Sequence, residues 1–374
     1  MPKMSKNTKA PLFHLTKRPV MPKSKAWGIR IASFVLAILI GAIIFICLGN
    51  DPLGAYKTII VGSLGKKVAL RQTVKIAVPL LGAALAIIPC FKMKFWNIGA
   101  EGQITAGAIG ASFIALTFAG KELPGVGKLS PVIIIILMGL AGALCGAFWA
   151  FLPAIFKAKW GTNETLFTLM MNYIVIGIVQ WLRGGPWEGK PGSQMVPTFH
   201  SSAVLPKVFG IHIGWIIVLV LVVFMFIYMK YTKHGYEIAV IGDSINTARY
   251  AGMDVAKITV RTMLLSGAIC GLVGFMIVSG ADQTLNGDVA AGIGFTAITV
   301  AWLGQLNPFA MIVISFILAI LDKGAGALQT AMSVPASISD IITGIFLFCM
   351  LACEFFINYK MIFNKPKAKE AESK

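Results

Sequence analysis

The stretch Val132–Leu152, VIIIILMGLAGALCGAFWAFL, contains no charged residue. About 20 apolar residues are enough for a helix to cross the roughly 30 Å hydrocarbon core of a bilayer. Similar apolar runs occur at Ile29–Leu48, Ile213–Tyr228 and Met311–Leu321. The chain has 374 residues, of which 57% are hydrophobic and only 13% are charged, whereas soluble domains carry about 25% charged residues. These features predict an all-α integral membrane protein.

The interruptions between apolar runs predict about ten transmembrane helices, near 27–48, 72–90, 98–118, 131–153, 165–183, 213–230, 263–281, 290–304, 309–328 and 338–358. The formal net charge is +18, and both ends of the chain are rich in Lys. Basic segments stay in the cytoplasm, so an even number of spans places both tails, 1–26 and 359–374, inside. The transmembrane domain then covers 27–358, with 49–71 as an external loop and about 231–262 as the largest internal loop.

Sequence motifs for catalysis are missing. The chain has no HExxH or GxSxG sequence, its four histidines form no cluster, and no Walker A motif is present. We therefore expect no cofactor on this chain and no ATP hydrolysis by it. The basic residues flank lipid-length segments and form no aromatic-interleaved face, which argues against nucleic acid and for membrane lipid as the surroundings.

The stretch FWNIGAEGQITAGAIGA, residues 95–111, places three polar side chains at the beginning of a predicted span: Asn97, Glu101 and Gln103. Ionisable groups in membrane helices usually face the interior of a bundle or a wet cavity. These residues are therefore candidates for a substrate pathway. The alternative is that Asn97 caps the helix and Glu101 lies at the membrane interface.

A second polar stretch, GTNETLFTLMMNY, covers residues 161–173. Thr162 or Asn163 can cap a helix whose first turn contains Glu164, where the helix dipole favours an anion. Thr168 and Asn172 then lie four residues apart on one face of the span. We assign Asn163, Glu164, Thr168 and Asn172 to the pathway, with hydrogen bonding between helices as the alternative.

The internal loop contains GYEIAVIGDSINTARYAGM, residues 235–253, which predicts a short amphipathic helix between glycines. Such a helix on the cytoplasmic side suits docking against a soluble partner, or it lies on the membrane surface. The candidate docking residues are Gly235, Glu237, Gly242, Asn246, Arg249, Tyr250 and Gly252.

Two stretches, Gly82–Leu116 and Gly271–Leu303, have the same sequence pattern. Each has an apolar helix, a polar glycine-rich break and a second helix of small residues. In the predicted topology they run in opposite directions. Paired interrupted segments of opposite sense suggest an inverted repeat with the pathway at its interface.

These stretches, together with GFTAITVAWLGQLNPFA at 294–310, resemble the permeases of nucleoside and simple-sugar ABC importers of the type II class. The resemblance covers roughly 50–355, and FWNIGAEGQ is typical of the nucleoside branch. One departure is Asp322-Lys323 in the ninth predicted span, where that family has small neutral residues.

The resemblance implies a permease subunit, not an enzyme, in a bacterial cell membrane, and it implies nucleosides, most of all purine nucleosides, as substrates. It also implies cytoplasmic ATPase subunits that hold ATP and Mg, a second homologous permease in a heterodimer, and an extracellular or lipid-anchored substrate-binding protein. The alternatives are a ribose-type sugar permease and an ion-coupled secondary transporter. The second alternative has few acidic residues to use, with Asp288, Asp322 and Asp340 as its candidates.

Overall fold

A computed structural model describes residues 13–17, 21–123, 127–332 and 335–363. Its helices are α1 (Lys23–Cys47), α2 (Pro52–Leu64), α3 (Lys67–Lys92), α4 (Ala100–Phe118), α5 (Pro131–Trp160), α6 (Glu164–Arg183), α7 (Gly214–Tyr231), α8 (Lys233–Asp243), α9 (Ile245–Tyr250), α10 (Val255–Met276), α11 (Ile293–Leu303), α12 (Pro308–Met332) and α13 (Ala336–Asn358). The short strands are β1 (Phe13–Lys17), β2 (Glu122–Leu123), β3 (Gly127–Lys128), β4 (Lys207–Val208), β5 (Ile211–His212) and β6 (Tyr359–Phe363).

The chain forms two compact units. One consists of Met1–Gly54 and Asp340–Lys374, and the other of Ala55–Ser339. In the first unit, the rings of Phe34 on α1 and Phe346 on α13 meet edge to face at 5.6 Å. The strands β1 and β6 pair antiparallel in the same unit. Residues 1–12 and 364–374, which make up much of the two predicted basic tails, lie outside the described residues.

The helix α3 is at the centre of the larger unit. Every residue from Ala77 to Phe91 is buried, because α3 is surrounded by α7, α10, α11 and α12. A helix that is apolar on all sides belongs in the interior of a bundle, and the sequence of α3 from Ile76 to Phe91 fits that position.

Glycines let α4, α5 and α10 approach one another closely. A Cβ at Gly271 of α10 would overlap the carbonyl oxygen of Gly142 on α5, and a Cβ at Gly107 of α4 would overlap the backbone of Gly271. Small residues at helix interfaces are the usual means of tight packing in membranes, where hydrophobic burial between helices gives little. These three helices therefore form the tightest part of the bundle.

Helices occupy all ten predicted spans, and eight described helices are long and apolar enough to cross a membrane. The other two predicted spans contain α4 and α11. The helix α4 has 19 residues with Glu101 in its first turn. The helix α11 has only 11 residues, or about 16 Å at 1.5 Å per residue, which is about half of the hydrocarbon core.

Two predicted loops contain helices, which the sequence indicates within 231–262 but not within 49–71. The predicted external loop 49–71 contains α2, where Asp51 accepts hydrogen bonds from the amides of Leu53 and Gly54 at 3.2 and 2.8 Å. The predicted internal loop 231–262 contains α8, α9 and the first turns of α10. There Asp254 accepts from the Lys257 amide at 3.1 Å, so α10 begins eight residues before the predicted span. Acidic residues at these positions are good N-caps.

We predict that Gly271→Ala destabilises the protein by about 1–3 kcal/mol, because the new methyl group overpacks the contact of α10 with α4 and α5. The measurement is chemical unfolding of the purified chain in detergent. The control is Gly177→Ala in α6, where no atom lies within 4 Å of the added Cβ. Equal stability of the two variants would contradict the packing described for α10.

Candidate functional site

Residues 93–99, between α3 and α4, are not helical, and we call this segment the break. The Ncap residue of α4, Gly99, has no side chain to accept from the first amides of the helix. Unpaired backbone groups are costly in an apolar environment. Side chains from neighbouring helices therefore have to satisfy this segment, and they are the polar residues that the sequence singles out.

The helix α6 holds this break from one side. Asn172 accepts from the Gly102 amide at 2.9 Å and donates to the carbonyl oxygen of Ile98 at 3.0 Å. Thr168 accepts from the Ile98 amide at 3.2 Å and donates to the Glu164 carbonyl oxygen at 2.7 Å. The predicted i, i+4 pair thus lies on one buried face and binds backbone on both sides of the start of α4.

Asn97 and Gln103 pair through their amide groups. Each side chain donates to the other, at 3.3 and 3.1 Å, and Asn97 also accepts from the Gly99 amide at 3.0 Å. The Asn97 nitrogen also approaches the Ser266 hydroxyl of α10 at 3.4 Å. A buried amide with four bonding positions needs this many partners, and the pair connects the break to α10.

Glu101 connects α4 to α11. Its two carboxylate oxygens accept from the amides of Gly292 and Gly294 at 2.8 and 2.7 Å, and the side chain is only 4% exposed. Glu101 lies in the first turn of α4 and bonds the first amides of α11. The carboxylate of Glu101 therefore lies at the N-termini of both α4 and α11, where the helix dipoles stabilise a negative charge.

We call this cluster the polar joint: Asn97, Glu101, Gln103, Thr168 and Asn172, with Ser266 and the amides of Gly292 and Gly294. Asn172 is eleven residues from Arg183, the last residue of α6, which is about 16 Å along the helix. The distance from Asn172 to that end of α6 is thus about half the thickness of a hydrocarbon core.

The other end of α11 is held by aromatic rings. Trp302 stacks on Trp96 at 5.7 Å with an interplanar angle of 19°. The ring of Phe91 lies 5.5 Å from Trp96 and 6.0 Å from Trp302. Both ends of α11 are therefore attached to the segment 91–101, one by a carboxylate and the other by stacked rings.

Two other predicted pathway residues lie at the beginning of α6, outside the polar joint. The predicted N-cap is confirmed, because Asn163 accepts from the amides of Thr165 and Leu166 at 3.0 and 3.2 Å. Glu164 forms an ion pair with Lys157 of α5 at 2.7 Å.

The end of α10 opposite α8 and α9 is covered by the segment 196–205. The helix finishes in a π-helical turn, Ile277–Ala281, a feature often found at functional sites. Ser279 donates to the Ala203 carbonyl oxygen at 2.6 Å, and its own carbonyl accepts from the Leu205 amide at 3.1 Å. The Phe199 amide donates to the Gln283 carbonyl at 2.8 Å. The segment 196–205 is therefore held by backbone and side-chain hydrogen bonds to the end of α10 and the residues after it.

The predicted docking helix is two helices, α8 and α9, separated by Ser244. Two of its glycines are packing positions: a Cβ at Gly235 would overlap carbonyl groups of α7, and a Cβ at Gly242 would overlap the Lys92 carbonyl oxygen at the end of α3. Gly252 ends α9 with a φ of +75°, a left-handed conformation that glycine adopts readily.

Three of the four remaining docking candidates face outward. Asn246, Arg249 and Tyr250 are exposed, Tyr250 at 93% of its surface. Glu237 is half-buried and lies 4.0 Å from Lys233. A groove of about 420 Å³ lies beside these helices, lined by Lys233, Tyr236, Glu237, Ala251, Gly252, Met253, Asp254, Lys257, Ile258 and Arg261.

A buried histidine attaches α8 to the bundle. His234 contacts the Tyr228 hydroxyl through Nδ1 and lies 3.4 Å from the Thr262 hydroxyl through Nε2. Burial, together with the nearby positive charge of Arg261, lowers the pKa of His234 below its usual value. The imidazole is thus neutral at neutral pH, which suits its place between two hydroxyl groups.

We predict that Asn172→Ala lowers the free energy of unfolding by about 1–3 kcal/mol, because it leaves the Gly102 amide and the Ile98 carbonyl without these partners in the interior. Chemical unfolding in detergent measures the change. Gln180→Ala, at an exposed position of the same helix, should have little effect. A loss of the same size in both variants would contradict a bonding role for Asn172.

Sequence comparisons agree with this architecture. Residues 70–351 match a family model described as the branched-chain amino acid transport system/permease component. The chain is 30% identical over 363 residues to the glucose ABC transporter permease protein TsgB13 of Haloferax volcanii, with 93% of each chain covered. It is 27% identical over 360 residues to the nucleoside ABC transporter permease protein NupB of Lactococcus lactis, with 93% of this chain and 95% of the relative covered.

The guanosine ABC transporter permease protein NupP of Bacillus subtilis is also 27% identical, over 354 residues, with 91% of this chain and 96% of the relative covered. No solved structure matches the chain. The family match covers most of the chain and the relatives are covered nearly end to end, so the assignment does not rest on one motif. This multi-pass membrane protein belongs to the family of ABC transporter permeases that the branched-chain amino acid permease component represents.

Proposed function

We propose that this chain is the membrane-spanning permease subunit of an ATP-driven importer and that its substrates are nucleosides. The observation that carries the proposal is the short helix α11, whose first amides donate hydrogen bonds to Glu101 of the polar joint. Broken helices that end near the middle of the membrane are typical of substrate sites in transporters. The nucleoside assignment draws on FWNIGAEGQ and on the names of the relatives from L. lactis and B. subtilis.

Import of a simple sugar is the second candidate. It is favoured by the 30% identity to a glucose permease of H. volcanii. Nucleosides and sugars are both uncharged and carry several hydroxyl groups. Amide, hydroxyl and backbone groups between small residues suit either substrate better than a charged clamp.

The helices α8 and α9 are the proposed docking surface for a cytoplasmic ATPase subunit, which would hold ATP and Mg. We also propose that both tails are cytoplasmic, because their residues are basic. Gly242 packs α8 against the end of α3, directly before the break that leads to the polar joint. A movement of α8 would thus reach Trp96, Glu101 and α11 through contiguous contacts. A second, homologous permease and a substrate-binding protein on the outer face complete the proposed importer.

Uptake of labelled guanosine, uridine, glucose and ribose by cells with and without this chain tests the proposal. One set of cells is depleted of ATP while its ion gradients are maintained. We expect nucleoside uptake that requires both the chain and ATP. Uptake that survives ATP depletion would contradict an ABC importer, and uptake of sugars alone would select the second candidate.

We predict that Arg249→Ala lowers uptake about tenfold or more while the amount of folded protein stays unchanged, because Arg249 is exposed on α9 and its loss weakens contact with the ATPase. Uptake and ATP hydrolysis are measured on the same membranes, and hydrolysis should continue without transport. Lys190→Ala, which removes an exposed charge from the loop after α6, is the control. Normal coupled uptake by the Arg249 variant would refute the docking surface.

A further inference from the structure

We infer that the groove between α8 and α10 binds a phosphate group, carried by an anionic membrane lipid or by a soluble phosphate. The groove has a volume of about 420 Å³. The inference adds a small ligand to the surface that we propose as the contact with an ATPase, and it depends on neither an ATPase nor transport.

The two walls of the groove are single faces of two helices. The residues on each wall are spaced three or four positions apart, as neighbours on one side of a helix are. They are Lys233, Tyr236 and Glu237 of α8 and Asp254, Lys257, Ile258 and Arg261 at the beginning of α10. The positively charged side chains among them outnumber the carboxylates, so the facing walls are basic overall.

Arg261 is the residue of the groove with bonding capacity for an anion. Each lysine has a carboxylate from its own end of the groove as a partner, because Lys233 lies 4.0 Å from Glu237 and Lys257 lies 3.1 Å from Asp254. Within the part of the chain that the structure describes, no carboxylate lies at ion-pair distance from Arg261. Its planar guanidinium group can donate two parallel hydrogen bonds to a phosphate.

The charge of Arg261 is not cancelled by the acidic residues around it. His234, beside Lys233 in α8, has a pKa below its usual value, first because it is buried and second because of the positive charge of Arg261. Glu237 raises the same pKa, but by less than Arg261 lowers it. The electrostatic potential where α8 meets α10 is therefore positive, and a positive potential attracts anions.

Arg261 also lies at the depth of lipid headgroups. It directly precedes the run 262–281, which contains no charged residue and is long enough to cross the hydrocarbon core. His234 joins Tyr228, near the end of α7, to Thr262, so the ends of these two spans lie at one level. Lipid phosphates are the abundant anions at this level, and basic pockets beside membrane spans bind them.

The volume of the groove suits a small group. About 420 Å³ is near the lower end of the range of about 300–1,000 Å³ for small-ligand sites. A helix about 10 Å wide fills as much space in a single turn of about 5.4 Å, so a helix of a protein partner would enter by one turn at most. A phosphate with a glycerol unit fits, and Glu237 and Asp254 can accept from the glycerol hydroxyls.

The test adds phosphate in three forms to the purified full chain. Thermal unfolding in micelles of an uncharged detergent is followed with phosphatidylglycerol, with glycerol 3-phosphate and with inorganic phosphate. Diacylglycerol, which has no phosphate, and sodium chloride of equal ionic strength are the controls. Arg261→Gln removes the guanidinium group, and Lys159→Gln removes an equal charge from an exposed position in the last turn of α5.

We expect phosphate to raise the Tm of the unsubstituted chain and of Lys159→Gln by about 2–4 °C, and that of Arg261→Gln by less than half as much. Given this pattern, a shift with phosphatidylglycerol alone identifies a lipid as the source of the phosphate. A shift that the soluble forms also produce identifies a soluble phosphate.

No shift with any of the three forms would overturn the inference, and so would equal shifts in Arg261→Gln and Lys159→Gln or an equal shift with diacylglycerol. A shift with hexaglutamate alone would overturn it in favour of an acidic segment of a protein partner.

If Arg261→Gln does not accumulate in membranes, Lys257→Gln takes its place, because it leaves Asp254 without its partner and makes the groove less positive. A full shift in that variant contradicts the inference, and a reduced one supports it. None of these readings uses uptake or an ATPase, so a chain that imports neither nucleosides nor sugars would refute the proposed function separately.

Discussion

A carboxylate in the interior of a membrane bundle has to be matched by donors, and the pair of hydrogen bonds from Gly292 and Gly294 to Glu101 meets this need. The rest of the larger unit depends on this match. It holds the first turn of α4 against the first turn of α11, two helix ends that would otherwise present unpaired amides to an apolar environment. Hydrogen bonds from four more side chains pair the backbone around the start of α4 or join these side chains to one another. These residues are Asn97, Gln103, Thr168 and Asn172. The cluster is thus structural in its bonding, since its polar groups pair with one another and with backbone groups.

The helix α11 is held at both of its ends. Its first amides meet Glu101, and its last turn stacks Trp302 on Trp96, so it is tied at both ends to the segment that follows α3. The same end of α3 receives α8 through Gly242. Close-packed contacts of this kind have few intermediate arrangements. In the proposed importer, a shift of α8 caused by a soluble partner would therefore be passed on to α11.

Much of the fold could be predicted from the sequence, because lipid-length apolar runs leave few alternatives. The break after α3 and the shared face of Thr168 and Asn172 could be predicted as well, since polar residues in apolar spans have to find partners. The caps Asp51 and Asp254 were missed because a single acidic residue beside basic loop residues carries a weak signal. The contact of Glu101 with α11 could not be predicted, since it joins residues 191 and 193 positions apart and uses backbone donors that no side-chain pattern reveals.

Hydrogen–deuterium exchange over residues 288–296 in lipid nanodiscs tests the central claim most directly. If Glu101 holds the first amides of α11, these amides exchange slowly in the unsubstituted chain and much faster in Glu101→Gln, while peptides from α5 are unchanged. Exchange over 288–296 that is fast in both proteins, or equally slow in both, would show that α11 is not held by Glu101 and would contradict the account.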